Sequence, residues 1–183
     1  MRILALADEN FIGEFLPRIR SKTGRVDIIL SCGDVSYATL CELLKIKGNI
    51  PTFGVHGNHD EYEFPEGIEN LHLKQVEYKG LKLGGFEGSW RYKPDGTYLY
   101  TDEEVLRLMG SFPYVDIFLA HTNPKGIHDK KDSRVGYGFV AFREYIERVQ
   151  QKIFLHGHVH ENLETNLGKT KIISVYGQRI IRV

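Results

Sequence analysis

The chain has 183 residues, 42% of them hydrophobic and 26% charged, which is the profile of an ordinary soluble globular protein of one domain. Its 24 basic and 24 acidic side chains cancel, which argues against a protein that coats nucleic acid through a broad basic surface and leaves room for a small anionic substrate. No apolar segment approaches the length of a membrane span, and two cysteines, Cys32 and Cys41, fit a reducing cytoplasm better than a disulfide framework.

In chain order, residues 2–7 form an apolar run that is too short for a signal sequence and ends in Asp8, so they read as a first strand. A helix is expected near 13–22, a strand at 26–31, a helix at 37–47 and a strand at 51–55, an alternation that favours parallel pairing through crossovers. Residues 70–88 read as short strands in an antiparallel meander turning at Lys79-Gly80. Thr101-Asp102-Glu103-Glu104 has the form of a capping box opening a helix to about Gly110. A strand at 115–120, a polar loop at 122–137, a helix at 139–150 and a strand at 152–156 follow. The chain closes with strands at 161–165, 170–175 and 178–183, the first two joined through Asn166-Leu167-Gly168. Helix-flanked sheets packed on one another fit this mixed order better than a single doubly wound sheet.

Five polar segments stand at the ends of these strands: Asp8-Glu9-Asn10, Gly33-Asp34, Gly57-Asn58-His59-Asp60, His121 and His156-Gly157-His158-Val159-His160. In α/β proteins the carboxyl edge of the sheet is where ligands bind, so segments distant in sequence converge there. Carboxylate, amide and imidazole groups are the ligands that suit Mn²⁺, Fe, Zn²⁺ or Mg²⁺. A carboxylate such as Asp34 has two oxygens with which to bridge two cations. His158 and His160, two apart in an extended segment, project to one side and could each serve one metal of a pair. Each segment also has a plain reading. Asp8 and Asp34 suit turns or helix caps, the Gly-Asn pair a turn, and the histidines backbone-bonded or surface positions. His56 and His156 fit packing or hydrogen bonding to a ligand better than ligation.

The ordered set resembles the calcineurin-like metallophosphoesterase family, whose signature runs D-x-H, G-D, G-N-H-[D/E], H, G-H-x-H, over residues 2 to about 177. The resemblance implies a four-layer αββα sandwich of two mixed β-sheets flanked by helices. It also implies two divalent metal ions, Mn²⁺ as first choice with Fe, Zn²⁺, Ni²⁺ or Mg²⁺ as alternatives. By position, one metal would take Asp8, Asn10, Asp34 and His160, and the second Asp34, Asn58, His121 and His158. His59 matches the histidine that contacts the scissile phosphate and assists the leaving group, and the implied mechanism is in-line attack by a metal-bridging hydroxide. The chain departs from the signature at Asn10, where the family has histidine. An amide oxygen is a poorer partner than imidazole for Zn²⁺ or Fe, so a weaker or altered first metal is expected.

Val35-Ser36-Tyr37 after Gly33-Asp34, and Asp60 in place of Glu, point away from protein phosphatases. The run Gly138–Glu147 leading to Gly157-His158-Val159-His160 resembles the small phosphodiesterase-like branch. The expected activity is therefore a phosphodiesterase on a small or nucleotide-like ester, ahead of a monoesterase. Loop 122–137, with Lys125, His128, Lys130, Lys131 and Arg134, and the segment Glu87–Tyr92, with Trp90 and Arg91, supply candidate substrate contacts, Arg91 and His128 first among them. No membrane or extended nucleic-acid partner is expected. The alternative is a protein-binding scaffold that keeps the fold without catalysis, as in the retromer small subunit. Only Asn10 favours that alternative, whereas His59 favours an enzyme.

Overall fold

In the computed structural model, residues 1–9, 26–130 and 136–183 are described. Asn10, Lys131, Arg134 and the helix expected at 13–22 lie outside them. The first strand, β1 (Arg2–Ala7), sets the architecture because both of its faces are apolar. Ile3, Ala5 and Ala7 project to one side and Leu4 and Leu6 to the other, all fully buried, as a strand covered on both faces requires.

Around β1 a five-stranded sheet runs in the order β13-β1-β2-β3-β4, with β2 (Ile28–Ser31), β3 (Thr52–Gly54) and β4 (Glu69–Asn70) parallel to it. β13 (Gly177–Arg182) is antiparallel to β1, with Ile3 opposite Ile181. A six-stranded sheet has the order β11-β12-β10-β9-β6-β5. Its parallel centre is β12 (Thr170–Ser174), β10 (Ile153–His156), β9 (Ile117–Ala120) and β6 (Leu81–Phe86), and its edges β11 (Glu164–Leu167) and β5 (Gln75–Tyr78) run antiparallel. A short parallel pair, β7 (Ser89–Trp90) with β8 (Leu99–Tyr100), stands apart.

The two large sheets pack face to face. Ala5, Leu30 and Ile181 of the first, with Val55 just beyond β3, share a buried layer with Leu83, Ile117, Leu119, Leu155 and Ile173 of the second. Helix α1 (Tyr37–Ile46) covers the outer face of the first sheet, Leu40 and Leu43 packing on Leu4, Leu6 and Ile29. Helices α2 (Asp102–Met109) and α3 (Val140–Val149) cover the second, packing Val105, Met109, Phe142 and Tyr145 on Phe118, Phe154 and Ile172. The result is the expected αββα order of layers. Among the described residues no helix is long and apolar enough to cross a membrane, and Cys32 and Cys41 are unpaired thiols.

Local chemistry fixes the helix starts. Thr101 Oγ1 accepts from Glu104 N at 3.2 Å while Glu104 Oε2 accepts from Thr101 N at 2.7 Å, the reciprocal box that satisfies two orphan donors. α3 has no side-chain cap of its own, and Asp102 of α2 supplies one, accepting from Val140 N at 3.1 Å.

Two expectations need correction. The 70–88 region is not a meander, because β4 joins the first sheet and only β5 and β6 form a hairpin, turning at Lys79 (φ 50°) and Gly80 (φ 75°). Strand periodicity carries no information about the partner, and β6 is drawn into the second sheet by Leu83 and Phe86, buried on opposite sides of it. The strand expected at 161–165 is shifted to Glu164–Leu167, and the turn is Gly168-Lys169. Gly168 takes the left-handed φ of 60° there, so Asn166 and Leu167 stay in the ladder opposite Lys171 and Thr170.

Phe118 is fully buried, 5.3 Å from Phe154 and 5.0 Å from Tyr145 between ring centroids. Phe118→Ala is expected to cost about 3–5 kcal/mol, read as a lowered urea midpoint.

Candidate metal centre and active site

Every polar segment of interest follows a strand: β1 ends before Asp8, β2 before Asp34, β3 before Asn58, β9 before His121 and β10 at His156. The sheets face each other, so these ends meet at one edge, drawing Asp8, Asp34 and Asn58 from one sheet and His121, His158 and His160 from the other. Ligand atoms of Asp8, Asp34 and His121 all lie within 4.8 Å of one another.

The imidazole of His121 is fully buried, and its Nδ1 donates to Cys32 O at 2.8 Å, which turns Nε2 toward the cluster. That nitrogen lies 3.3 Å from Asp34 Oδ2, 3.0 Å from Asn58 Oδ1 and 3.2 Å from His158 Nδ1. One N–H cannot serve three such neighbours. Metal–ligand bonds of about 2.0–2.2 Å place adjacent ligand atoms about 3.0–3.4 Å apart, the spacing seen here. A second contact has the same length: His160 Nε2 lies 3.4 Å from Asp8 Oδ1, a buried oxygen with no well-formed hydrogen bond among the described residues. The donor set and its spacing fit divalent cations.

The backbone is held to this purpose. Asp8, Asp34, His158 and His160 adopt left-handed φ angles of 54°, 53°, 68° and 53°, a conformation that non-glycine residues take at some cost and that clusters at functional sites. The loops are tied down. Glu9 N donates to Asp34 O, His59 N to Asp34 Oδ1 and His158 N to Asp8 Oδ2, all within 2.8–2.9 Å. Asp60 accepts from Asp34 N at 2.9 Å and Gly57 N at 2.8 Å while Tyr62 donates to its other oxygen, so the last residue of the Gly57–Asp60 segment fastens two loops of the cluster together. The motif glycines admit this crowding. A Cβ on Gly57 would meet Asp34 Oδ1 at 2.0 Å, and one on Gly157 would meet Asp8 Oδ2 at 2.7 Å.

Charge is balanced within the cluster. Burial alone would raise Asp34, but the charge and hydrogen bond of His121 hold it well below the usual carboxylate range. Burial alone would lower His121, but Asp34 pushes it up to about 9. The Asp8 carboxylate beside His160 likewise raises that imidazole.

His59 is exposed beside the cluster, tethered through its backbone to Asp34. His56 is buried between the rings of Phe64 (4.0 Å) and Tyr98 (4.7 Å), with Nδ1 3.3 Å from Glu87 Oε2. His156 is fully buried, donates from Nδ1 to Gly157 O and meets His128 Nδ1 at 2.9 Å, and burial drives it down to about 3, so it stays neutral. The two candidate substrate contacts have protein partners. His128 binds His156 and Thr165 Oγ1, and Arg91 Nη2 binds Leu99 O and the Glu104 carboxylate. Sequence reasoning missed the tethering role of Asp60, and also Tyr176, whose ring stacks on His160 at 5.2 Å. Asp60 stands in plain view inside a motif, whereas Tyr176 carries no local signal.

A model of the calcineurin-like phosphoesterase superfamily domain matches residues 1–175. The chain belongs to that superfamily. Its fold is similar to that of the protein TT1561 of Thermus thermophilus, at 17% identity and TM-score 0.63 over 96% of this chain and 89% of that one. It is also similar to an archaeal phosphodiesterase, at 16% identity and TM-score 0.53 over 97% and 84% of the two chains. A third similarity is to vacuolar protein sorting 29 from Cryptosporidium parvum, at 14% identity and TM-score 0.52 over 94% and 72%. No curated protein sequence matches the chain significantly.

The Asp34–His121 pair would make any metal binding here pH-dependent. A cation held by His121 would have to displace its proton, so titration with Mn²⁺ at pH 7 is expected to release about one proton and binding to strengthen as pH rises toward about 9. In metal-free protein the raised His121 contributes stability that is complete below pH 6.5 and lost as pH passes through about 9. Titration calorimetry in buffers of different ionisation heat reads the proton, and an enthalpy independent of buffer would show that His121 is already neutral.

Proposed function

We propose that this superfamily member is a phosphodiesterase that uses two divalent cations to hydrolyse a small or nucleotide-like phosphate ester. The observation that carries the reading is the crowding of Asp34, Asn58 and His158 within 3.0–3.3 Å of one imidazole nitrogen, with Asp8 and His160 paired beside them. Asp34, Asn58, His121 and His158 would hold one cation, and Asp8, Asp34 and His160 the other, with Asn10 as a further ligand. Once bound, such cations lower the pKa of water and offset charge on the phosphoryl oxygens.

The chain's own groups supply the rest. His59 is free to meet the substrate while Asp34 holds its backbone, which suits a histidine that contacts the phosphate and hands a proton to the leaving oxygen. The Asp60 knot keeps the loops of Asp34 and His59 in fixed relation, so the proton donor and the shared carboxylate move as one unit. Manganese is the first choice because amide and carboxylate oxygens make up half or more of each set. The fold similarity to an archaeal phosphodiesterase supports diester over monoester hydrolysis.

A second reading, a protein-binding scaffold, draws support from the fold similarity to vacuolar protein sorting 29 and from Asn10 in place of histidine. Metal-stripped protein resupplied with Mn²⁺, Ni²⁺, Zn²⁺ or Mg²⁺ separates the two. The enzyme is expected to cleave bis-p-nitrophenyl phosphate faster than p-nitrophenyl phosphate, with His59→Ala losing about 10²–10⁴ in kcat and Asp34→Ala losing metal as well. No turnover with any metal would favour the scaffold. Asn10→His is expected to tighten the weaker cation and shift preference toward Zn²⁺. Unchanged affinity and preference would show that position 10 is not a ligand.

A further inference from the structure

A cavity of about 350 Å³ is lined by Trp90, Asp102, Lys125, Tyr137 and Gly138, within the range of small-molecule sites. Two of its walls are tied to elements that border the metal cluster. Lys125 lies four residues beyond His121, which bounds their Cα separation at about 14 Å. Trp90 lies two residues beyond Gly88, whose N–H donates to His56 O next to Gly57.

The rings of Trp90 and Tyr137 stand 6.2 Å apart at 56°. A ring sandwiched between two others needs about 7–8 Å between them, so these two form a corner. A planar guest would stack on one wall and meet the other with its edge. Lys125 Nζ sits 3.7 Å from the Tyr137 centroid and 3.9 Å from Asp129 Oδ2. Asp129 fixes this corner, accepting from Asn123 Nδ2 at 2.7 Å, Gly126 N at 3.0 Å and Gly138 N at 3.2 Å. Asp102, also in the lining, accepts from Val140 N with one oxygen and keeps acceptor capacity on its carboxylate.

We propose that this cavity binds a guanine-type base, the heterocycle of the ester whose phosphate meets the metal cluster; its link to that ester rests on the phosphodiesterase reading, the base recognition does not. The chemistry is complementary. Guanine carries N1–H and N2–H donors that suit a carboxylate, and O6 and N7 acceptors that suit an ammonium, on a face broad enough to stack. Adenine has no carbonyl for Lys125, and cytosine offers a smaller face. Asp102 is then the residue that reads the 2-amino group.

Trp90 is the only tryptophan of the chain, so its fluorescence reports the cavity directly. The test titrates guanosine, inosine, adenosine, cytidine and ribose 5-phosphate into the purified full chain. The nucleosides carry no phosphate, so their signal cannot arise from phosphate binding at the metal cluster. Saturable quenching by guanosine is expected, about tenfold or more weaker with adenosine, cytidine and inosine, and absent with ribose 5-phosphate. Asp102→Asn retains an oxygen for Val140 N–H but presents an amide, and is expected to abolish the preference for guanosine over inosine. No response to guanosine, equal responses to all nucleosides, a matching response to ribose 5-phosphate, or an undiminished guanosine preference in Asp102→Asn would each overturn the proposal. Guanosine binding without diester turnover would fail the hydrolase reading alone, and diester turnover without guanosine binding would fail the cavity alone.

Discussion

A carboxylate from one sheet meets an imidazole from the other in a buried layer, and the rest of the structure depends on that meeting. Asp34 follows β2 and His121 follows β9, both are buried, and their atoms approach to 3.3 Å. Two charges taken out of water cost several kcal/mol each unless they are paired and further hydrogen-bonded. Here Cys32 O takes the far side of His121 and His59 N the far side of Asp34. The two sheets are thus joined at their edge by a polar contact, where elsewhere they meet through Leu30, Val55, Ile117 and Leu155.

In the metal-dependent reading such a pair would exchange its proton for a cation. Burial penalises either charge alone, and the left-handed backbone at Asp8, Asp34, His158 and His160 holds these side chains where regular structure would not. Hydrogen bonds between loops of different sheets, such as His158 N to Asp8 Oδ2, offset that conformational cost. The site is therefore fastened by long-range contacts and inherits its rigidity from the sheets beneath.

Beyond the cluster, the loops that leave β6 and β9 are shaped by their own charges. Asp129 gathers the loop after His121, Glu104 holds Arg91, and Glu87 lies buried among His56, His72 and Tyr100. Burial would raise Glu87, but its hydrogen bond with His56 and the charge of His72 keep it ionised. These anions position backbone and aromatic rings around the site without themselves offering ligands to it.

Local chemistry along the chain was enough to specify most strands of the two large sheets, the capping box at Thr101–Glu104 and the set of polar residues at the strand ends, because short apolar runs and cap bonds act over a few residues. It did not specify that β4 leaves β5 and β6 for the other sheet, since alternation says which face is buried but not against what. Nor did it show that Arg91 and His128 are taken up by Glu104, His156 and Thr165, or that Asp60 knots two loops. Those outcomes are contacts between residues from 13 to 37 positions apart. They exist only once the sheets have packed, and the same packing turns a list of five polar segments into one cluster, with the ligand atoms of Asp8, Asp34 and His121 within 4.8 Å.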